Sequence, residues 1–292
     1  MGLSYEGRVA VVTGAGGGLG RAHALELARR GAMVVVNDLG ASLSGDGTDD
    51  GPAALVVKEI TAAGGTAVAD THSVATVDGG QAIIDTAIEA FGRVDVVVNN
   101  AGILRDRMFV NMSEDDWDAV IRGQLRSTFA PCRVFADHWR TESKAGNQPV
   151  ASIVNVSSTS GLIGAVGQTN YGAGKAAIAA LTVILAQEIG RYGVRVNAIV
   201  PVARTRMTQD LPGIGEMVAA PADAGAFDVY HPGNVSPLVA WLLTAAAPVT
   251  GEVYYAKGGE IRRFAPWSYD WTVDKGARWS VEEIAKEMAT RG

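Results

Sequence analysis

Cysteine, basic charge and long apolar runs are scarce in this sequence, and each scarcity excludes a class of protein. The single cysteine, Cys132, rules out a disulfide within the chain, which suits a reducing compartment. The first residues lack a basic stretch followed by an apolar core, so no signal peptide is expected. The longest apolar run, 176–186, is shorter than a bilayer-spanning segment. We therefore expect a cytoplasmic protein with no membrane partner.

Positive charge and histidine are also sparse. Acidic residues outnumber basic ones by 31 to 25 and the net charge is -6, so nucleic acid is not an expected partner. The four histidines show no metal-ligand spacing with one another or with Cys132, and no metal site is expected. Hydrophobic residues make up 48% of the 292 residues, which is enough for one large folded domain.

Short β-branched runs alternate with helical patterns through the first two hundred residues. Helical periodicity appears between the runs, for example at 22–30 and 82–91, and a glycine follows each of these segments. Apolar strands separated by helices predict a parallel sheet covered on both faces, an α/β fold of the doubly wound Rossmann type. The predicted strands are 9–12, 33–36, 66–69, 94–98, 152–156 and 194–200.

No repeat or linker divides the chain, so we predict a single catalytic domain over residues 1–259. Residues 260–292 form a C-terminal extension that holds three of the six tryptophans. An exposed aromatic segment promotes aggregation, so we expect the extension to pack on its own domain or on a sister subunit. The predicted helix at 171–190 is apolar on more than one face, which predicts a homo-dimer or homo-tetramer.

A glycine cluster follows the first predicted strand and opens the first predicted helix. Glycine permits the tight turn and the close backbone approach that a pyrophosphate at a helix N-terminus requires. The cluster's position between strand and helix, with an acid after the second strand, predicts a dinucleotide site. The residues expected to contact the cofactor here are Gly14, Gly16, Gly18, Leu19 and Gly20.

Asp38 is the acid that follows the second predicted strand. A carboxylate there can accept hydrogen bonds from the adenosine ribose hydroxyls, and it repels a 2′-phosphate. At ~4 Å and an effective dielectric of ~20, each unit of like charge costs roughly 4 kcal/mol. The next residues, Leu39 and Gly40, offer no cation for that phosphate. NAD is therefore favoured over NADP, the alternative being that Asp38 only caps a loop. Asn100, Ala101 and Gly102, at the end of the fourth strand, are further predicted cofactor contacts.

Tyr171 and Lys175 are one helical turn apart, so their side chains share a face. An ammonium ion near a phenol favours the phenolate, and an interaction of ~4 kcal/mol would bring the pKa of Tyr171 close to neutral. Such a tyrosine can give a proton to a carbonyl oxygen or take one from an alcohol. Ser158, just after the fifth predicted strand, can hold the substrate oxygen beside the phenol. Each pattern alone is common in structural roles, and only the combination predicts catalysis.

Together these features resemble the short-chain dehydrogenase/reductase family. The resemblance covers residues 6 to about 259 and rests on the order and spacing of 13–20, 99–102 and the Ser158, Tyr171 and Lys175 set. It implies that Ser158 polarises the substrate oxygen and that Tyr171 is the acid/base. It also implies that Lys175 lowers the tyrosine's pKa and holds the nicotinamide ribose. Further contacts that it implies for the cofactor are Ser73, Val74 and Thr205.

Residues 37–40, 101–106 and 206–208 are similar to the (3R)-hydroxyacyl-CoA dehydrogenase part of type 2 peroxisomal multifunctional enzymes. This similarity implies a 3-hydroxyacyl or 3-oxoacyl thioester as substrate. A ketosteroid or small cyclic alcohol is the alternative substrate, and a non-enzymatic dinucleotide sensor is the alternative class. Gln124 stands where the family has an asparagine of a proton relay, and a role there is left open.

Two expectations concern the substrate side of the site. Gln168, three residues before Tyr171, is a candidate substrate contact. Residues 207–233 are rich in Gly, Ala and Pro and follow the sixth predicted strand, and we expect them to form a lid over the substrate.

Overall fold

Eight strands form one sheet in the computed structural model, which describes residues 3–42, 44, 51–209, 214–223, 225–265 and 267–290. The strands are β1 (Val9–Thr13), β2 (Met33–Asn37), β3 (Thr66–Asp70), β4 (Val96–Asn99), β5 (Ala151–Val156), β6 (Val194–Pro201), β7 (Val253–Lys257) and β8 (Glu260–Arg263). Their order is β3-β2-β1-β4-β5-β6-β7-β8, and every neighbouring pair is parallel except the last. The predicted doubly wound α/β fold is confirmed, and the six predicted strands coincide with β1 to β6.

Helices cover both faces of the sheet. They are α1 (Gly18–Arg29), α2 (Gly51–Ala62), α3 (Val77–Phe91), α4 (Glu114–Ile121), α5 (Ser127–Lys144), α6 (Thr159–Leu162), α7 (Thr169–Ile189), α8 (Arg206–Gln209), α9 (Ile214–Met217), α10 (Ser236–Leu243) and α11 (Val281–Ala289). One buried apolar layer joins the sheet to α1, α2 and α10, and the other joins it to α3, α5 and α7. Because both faces are covered, the central strands β1, β4 and β5 are buried along their whole length.

The parallel register brings the carboxyl ends of the strands to one edge of the sheet. Thr13 pairs with Asn37, Asn37 with Asp70, and Asn99 with Asn155. The residues that follow these strands therefore meet in one place, where doubly wound folds bind their ligands.

Helix α7 carries Tyr171 and Lys175 and is both long and apolar. By length and composition alone, the segment Thr169–Tyr192 could cross a membrane, which the shorter apolar run noted in the sequence did not indicate. In the structure this helix packs along β5 and β6, and ten of its residues are buried. Burial against the sheet explains its composition, and the absence of a membrane partner stays a prediction.

The C-terminal extension begins inside a β-hairpin. Strand β8 pairs antiparallel with β7, so the boundary expected after residue 259 falls in the turn between two strands of the sheet. The sequence predicted neither strand. In β8 the apolar alternation is missing, because it is an exposed edge strand with three charged residues out of four. Farther along, Trp267 is 92% exposed and α11 has no buried residue. Packing of this part on a sister subunit stays a prediction.

Candidate active site

A cavity of about 840 Å³ opens at the carboxyl ends of the parallel strands. Its walls come from the β1–α1 loop, the ends of β2, β4, β5 and β6, and the start of α7. Most residues that the sequence assigned to the cofactor or to catalysis line this one cavity. They are Gly14, Gly18, Leu19, Asp38, Ser73, Val74, Asn100, Ala101, Gly102, Ser158, Gln168, Tyr171, Lys175 and Thr205.

The glycine loop forms a cradle made of backbone. Gly14 has a φ of +61°, and a Cβ on it would lie 2.7 Å from Ala101 Cα. Gly17 caps α1 without a side-chain hydrogen bond, and none of the described residues lies within 4 Å of where its Cβ would be. No capping side chain takes up the first N–H groups of α1, and Gly17, Gly18 and Leu19 line the cavity, which suits a pyrophosphate. The residues present thus fit a bound dinucleotide.

Gly16 and Gly20 lie behind the cradle and do not line the cavity. A Cβ on Gly20 would lie 2.2 Å from the carbonyl oxygen of Gly14, so this glycine allows the helix to pack directly on the loop. A Cβ on Gly16 would lie 2.8 Å from a carboxylate oxygen of Asp38. Both positions therefore shape the loop from outside the cavity lining, and their contact with a cofactor stays a prediction.

Asp38 is tied to the cradle by backbone hydrogen bonds. Its Oδ2 accepts from Gly16 N at 2.7 Å and its Oδ1 accepts from Gly40 N at 2.8 Å. Each carboxylate oxygen keeps a second lone pair, and the side chain lines the cavity. The carboxylate is thus held rigidly where ribose hydroxyls could donate to it.

The end of β3 is organised around a buried carboxylate. Asp70 accepts hydrogen bonds from Asn37 Nδ2 at 2.6 Å, His72 Nδ1 at 2.8 Å and Thr86 Oγ1 at 2.8 Å. Asp70 is outside the cavity lining, whereas its neighbours Ser73 and Val74 are within it. Asp70 therefore orders the loop after β3, in which Ser73 and Val74 lie at the cavity.

Asn99 and Asn100 brace the centre of the sheet. Asn100 Nδ2 donates to the carbonyl oxygens of Thr13 and Gly14, both at 3.0 Å. Asn99 Nδ2 donates to Asn155 Oδ1 at 2.9 Å and thereby links β4 to β5. Thr205 lies opposite, 3.4 Å from where a Cβ on Gly18 would be. Cavity walls on two sides are thus fixed relative to the glycine loop.

Ser158, Tyr171 and Lys175 meet at the wall formed by β5 and α7. Lys175 is 3% exposed, lies with its Nζ 5.5 Å from the centre of the Tyr171 ring, and donates to Val156 O at 2.7 Å. Ser158 lies close enough to the Tyr171 hydroxyl to lower its pKa. The residues grouped by sequence reasoning are therefore adjacent, with the serine and the phenol able to reach one substrate oxygen.

The pKa of Tyr171 does not move in the direction that the sequence predicted. Burial raises the pKa of Tyr171 to about 12, the hydrogen bond from Ser158 opposes this rise, and Asp106 adds to it. Burial also lowers the pKa of Lys175 to about 7. The expected pairing placed a full ammonium charge beside the phenol. Because the amine is itself buried, it loses much of that charge near neutral pH and stabilises the phenolate less.

Gln124 lies in a π-helical turn, Arg122–Arg126, inserted between α4 and α5. Its Nε2 donates to the carbonyl oxygen of Ile103 at 2.6 Å, and its Oε1 is buried without a hydrogen-bond partner among the described residues. A Cβ on Gly102 would lie 2.6 Å from that oxygen. The wider turn thus holds this side chain in the cavity wall, a common use of π-helical turns near functional sites.

Sequence reasoning predicted Gln168 as a substrate contact but missed the polar residues around it, Ser160, Asp106 and Asn170. The amide of Gln168 is held on both sides by protein: its Oε1 accepts from Ser160 at 2.6 Å and its Nε2 donates to Asp106 at 2.7 Å. Asn170 donates to the carbonyl oxygens of Arg105 and Asp116. The only available signal was the density of small polar residues around 157–170.

The expected lid lies partly outside the described residues, which omit 210–213 and 224. Met207 and Thr208 line the cavity. The ion pair of Arg204 with Asp228 ties the start of the segment to its far part. Movement of 207–233 over the substrate stays a prediction.

A doubly wound sheet, a backbone cradle at its switch point and an adjacent serine, tyrosine and lysine define an oxidoreductase that uses a nicotinamide dinucleotide. A family model described as short chain dehydrogenase matches residues 8–213. The chain belongs to the short-chain dehydrogenase family, whose members use NAD or NADP.

Individual relatives match nearly the whole chain. The hydroxyacyl-CoA dehydrogenase ChsB1 of Mycobacterium tuberculosis is 46% identical over 291 residues, which cover 97% of this chain and 87% of that protein. Peroxisomal multifunctional enzyme type 2 of Mus musculus is 42% identical over 259 residues, 89% of this chain but 33% of that protein. A crystal structure of a short chain dehydrogenase from Mycobacterium avium superimposes with a TM-score of 0.86 at 50% identity, covering 98% of this chain and 94% of that one.

Proposed function

We propose that this enzyme transfers hydride between NAD(H) and a secondary alcohol or ketone, most specifically a 3-hydroxyacyl-CoA or its 3-oxoacyl counterpart. The observation that carries the substrate class is the 46% identity to a hydroxyacyl-CoA dehydrogenase across 97% of the chain. The similarity to a peroxisomal multifunctional enzyme supports the same class.

The dinucleotide would rest on the glycine cradle, with Asp38 and Lys175 at its two ribose positions and Asn100 to Gly102 behind it. When bound, its nicotinamide ring supplies or accepts the hydride that the substrate carbon exchanges. Ser158 Oγ donates to the substrate oxygen and keeps it beside the phenol. Tyr171 gives its proton to that oxygen in reduction and takes it back in oxidation. Lys175, held by the carbonyl of Val156, stabilises the phenolate whenever its amine is protonated.

Asp38 supports NAD as the cofactor, because its fixed carboxylate faces the cavity and would repel a 2′-phosphate. Asp38→Asn removes the charge and keeps one acceptor for the loop N–H groups. We expect the ratio of kcat/KM for NAD over NADP to fall by about tenfold or more in this variant. Asp85→Asn, on the exposed side of α3, makes the same charge change away from the cavity. A wild-type preference for NADP would refute the assignment.

The substrate class is tested by steady-state kinetics with a panel of compounds. The panel holds (3R)- and (3S)-hydroxyacyl-CoA, the 3-oxoacyl-CoA, a ketosteroid, a cyclic alcohol and simple alcohols, each with NAD or NADP in the matching redox state. We expect the highest kcat/KM with a 3-hydroxyacyl-CoA or 3-oxoacyl-CoA. A ketosteroid or cyclic alcohol turned over at least tenfold better than any thioester would overturn the substrate proposal. The family membership would stand.

We also propose that the chain forms a homo-dimer or homo-tetramer in the cytoplasm. The outer faces of α5 and α7 expose apolar side chains, with Phe129 46% and Ile184 54% exposed. Apolar area of this kind on two adjacent long helices favours association with a second copy.

A further inference from the structure

A polar chain leads from Ser158 out of the cavity wall to Asp106. Ser160 Oγ lies 3.3 Å from Ser158 Oγ, and it donates to Gln168 Oε1 at 2.6 Å. Gln168 Nε2 donates to Asp106 Oδ2 at 2.7 Å. A backbone bridge between Arg107 and Gln168 holds the two loops side by side. Asp106 does not line the cavity, so a hydrogen-bonding effect on substrate passes through this series of side chains, separately from the charge of Asp106 that raises the pKa of Tyr171.

This series of hydrogen bonds has a fixed direction because Asp106, at its far end, can only accept hydrogen bonds. An ionised carboxylate has no hydrogen to donate, so the Gln168 amide must turn its NH₂ group to Asp106 and its oxygen to Ser160. The amide oxygen is likewise only an acceptor, so the hydroxyl hydrogen of Ser160 is committed to Gln168. Toward Ser158, the oxygen of Ser160 can then only accept.

This direction decides what Ser158 offers to the cavity. Ser158 Oγ accepts a hydrogen bond from the backbone N–H of Ser160 at 3.2 Å. Since the Ser160 hydroxyl cannot donate to it as well, Ser158 keeps its own hydrogen available for an oxygen in the cavity, either that of the substrate or that of Tyr171. The 3.3 Å contact with Ser160 Oγ is long for a hydroxyl hydrogen bond, and a substrate carbonyl can replace it at little cost.

We propose that Asp106 is a positioning residue that acts through Gln168 and Ser160 to fix Ser158 as the hydrogen-bond donor to the substrate oxygen. The proposal rests on the oxidoreductase function above and adds a residue outside the catalytic set. Asp106 Oδ1 is buried without a hydrogen-bond partner among the described residues. An unpaired carboxylate oxygen beside the active site is costly to stability, which is expected where the charge serves a function.

Two substitutions at Asp106 separate the effect of the hydrogen-bond direction from the effect of the carboxylate charge. Asp106→Leu removes the acceptor, so the Gln168 amide can turn over and Ser160 can donate to Ser158. We expect kcat to fall by about tenfold or more, with an unchanged Kd for NADH and a Tm no lower than that of wild type, since the buried unpaired carboxylate oxygen is removed. Asp106→Asn keeps an amide oxygen that can accept from Gln168 Nε2, and we expect it to retain kcat within about threefold of wild type.

A charge exchange gives the sharper test. Gln168→Glu alone places two carboxylates where a 2.7 Å hydrogen bond stood, and we expect a loss at least as large as for Asp106→Leu. Combined with Asp106→Asn, the introduced carboxylate accepts from the asparagine amide on one side and from Ser160 on the other. The direction at Ser160 is restored, so kcat is expected to recover by about fivefold or more over Gln168→Glu. A purely structural contact would give additive losses.

All variants are assayed with the panel substrate that wild type turns over best, and Asp137→Asn on the surface of α5 is the control for loss of a carboxylate. Wild type that is inactive on the whole panel refutes the proposed function. Wild type that is active, with Asp106→Leu within about twofold of it in kcat, refutes the positioning role alone. So does a double variant no faster than Gln168→Glu. The NADH Kd and Tm of each variant show whether a loss comes from the cofactor site or from unfolding.

Discussion

Tyr171 combines a desolvated phenol with a position beside Ser158 at the cavity wall, and these properties define its proposed part in the reaction. Its raised pKa, about 12, keeps it protonated near neutral pH, which suits the donation of a proton to a carbonyl oxygen. Tyr171→Phe removes the proton and little else. We expect kcat to fall by about 100-fold or more while the Kd for NADH, followed by fluorescence, stays within about twofold. Tyr192→Phe, beyond the end of α7, is the matched control, and retention of turnover by Tyr171→Phe would exclude the mechanism.

Lys175 couples the same site to the stability of the fold. Burial lowers its pKa to about 7, whereas the amine in the unfolded chain titrates near 10.5. Between these values the unfolded chain binds a proton that the folded chain does not, so stability rises with pH across this window. Below about pH 7 the folded state bears the whole cost of the buried charge.

Lys175→Met is therefore expected to raise the Tm of the cofactor-free protein relative to wild type at pH 6. The advantage should shrink at pH 9.5, where the wild-type amine is neutral in the folded state. Thermal unfolding of both proteins at the two pH values measures this change. A difference in Tm that is independent of pH would show that the folded-state pKa of Lys175 is not depressed.

At the scale of the element, the effect of a substitution in the β1–α1 loop on stability depends on which glycine is replaced. A Cβ on Gly20 would lie 2.2 Å from a backbone oxygen, so α1 and the loop must separate in Gly20→Ala. Overpacking of this kind costs about 1–3 kcal/mol, and we expect Tm to fall by about 3 °C or more. A Cβ on Gly17 would meet no atom within 4 Å in the part of the chain that the structure describes, and this residue has an extended φ of -167°, so the Tm of Gly17→Ala is expected to stay close to wild type. Equal effects at the two positions would contradict the packing explanation.

Elements with a local cause could be predicted from the sequence, and those that depend on tertiary contact could not. Strands β1 to β6 follow from β-branched runs, and the glycine cradle follows from its place between strand and helix. The pairing of Asp106 with Gln168 joins loops 62 residues apart, and no periodicity brings them together. The π-helical turn at Gln124 needs Gly123, whose Cβ would lie 2.5 Å from the Ile103 side chain. The pKa of Tyr171 was predicted in the wrong direction because burial of both the phenol and the amine emerges only in three dimensions.

At the scale of the whole molecule, the C-terminal extension divides into two parts with different contributions. Strand β8 completes the sheet, and Arg263 at its end forms an ion pair with Glu252 next to β7. Beyond it, Tyr269 is 94% exposed and Val281 is 78% exposed. Apolar groups this exposed add little to the stability of a single chain, and they favour burial against another copy.

Removal of residues 267–292 is therefore expected to leave the Tm within about 3 °C of wild type while weakening self-association, since the deleted part buries little apolar area in its own chain. Removal of residues 260–292 also deletes β8, uncovers β7 as a new edge and is expected to lower the Tm further. Analytical ultracentrifugation over a range of concentrations, with Tm measured at the lowest, separates the two effects. If the oligomer is equally stable with and without residues 267–292, the subunit interface lies on the α5 and α7 faces alone. If removal of residues 267–292 lowers the Tm strongly, the extension packs on its own domain.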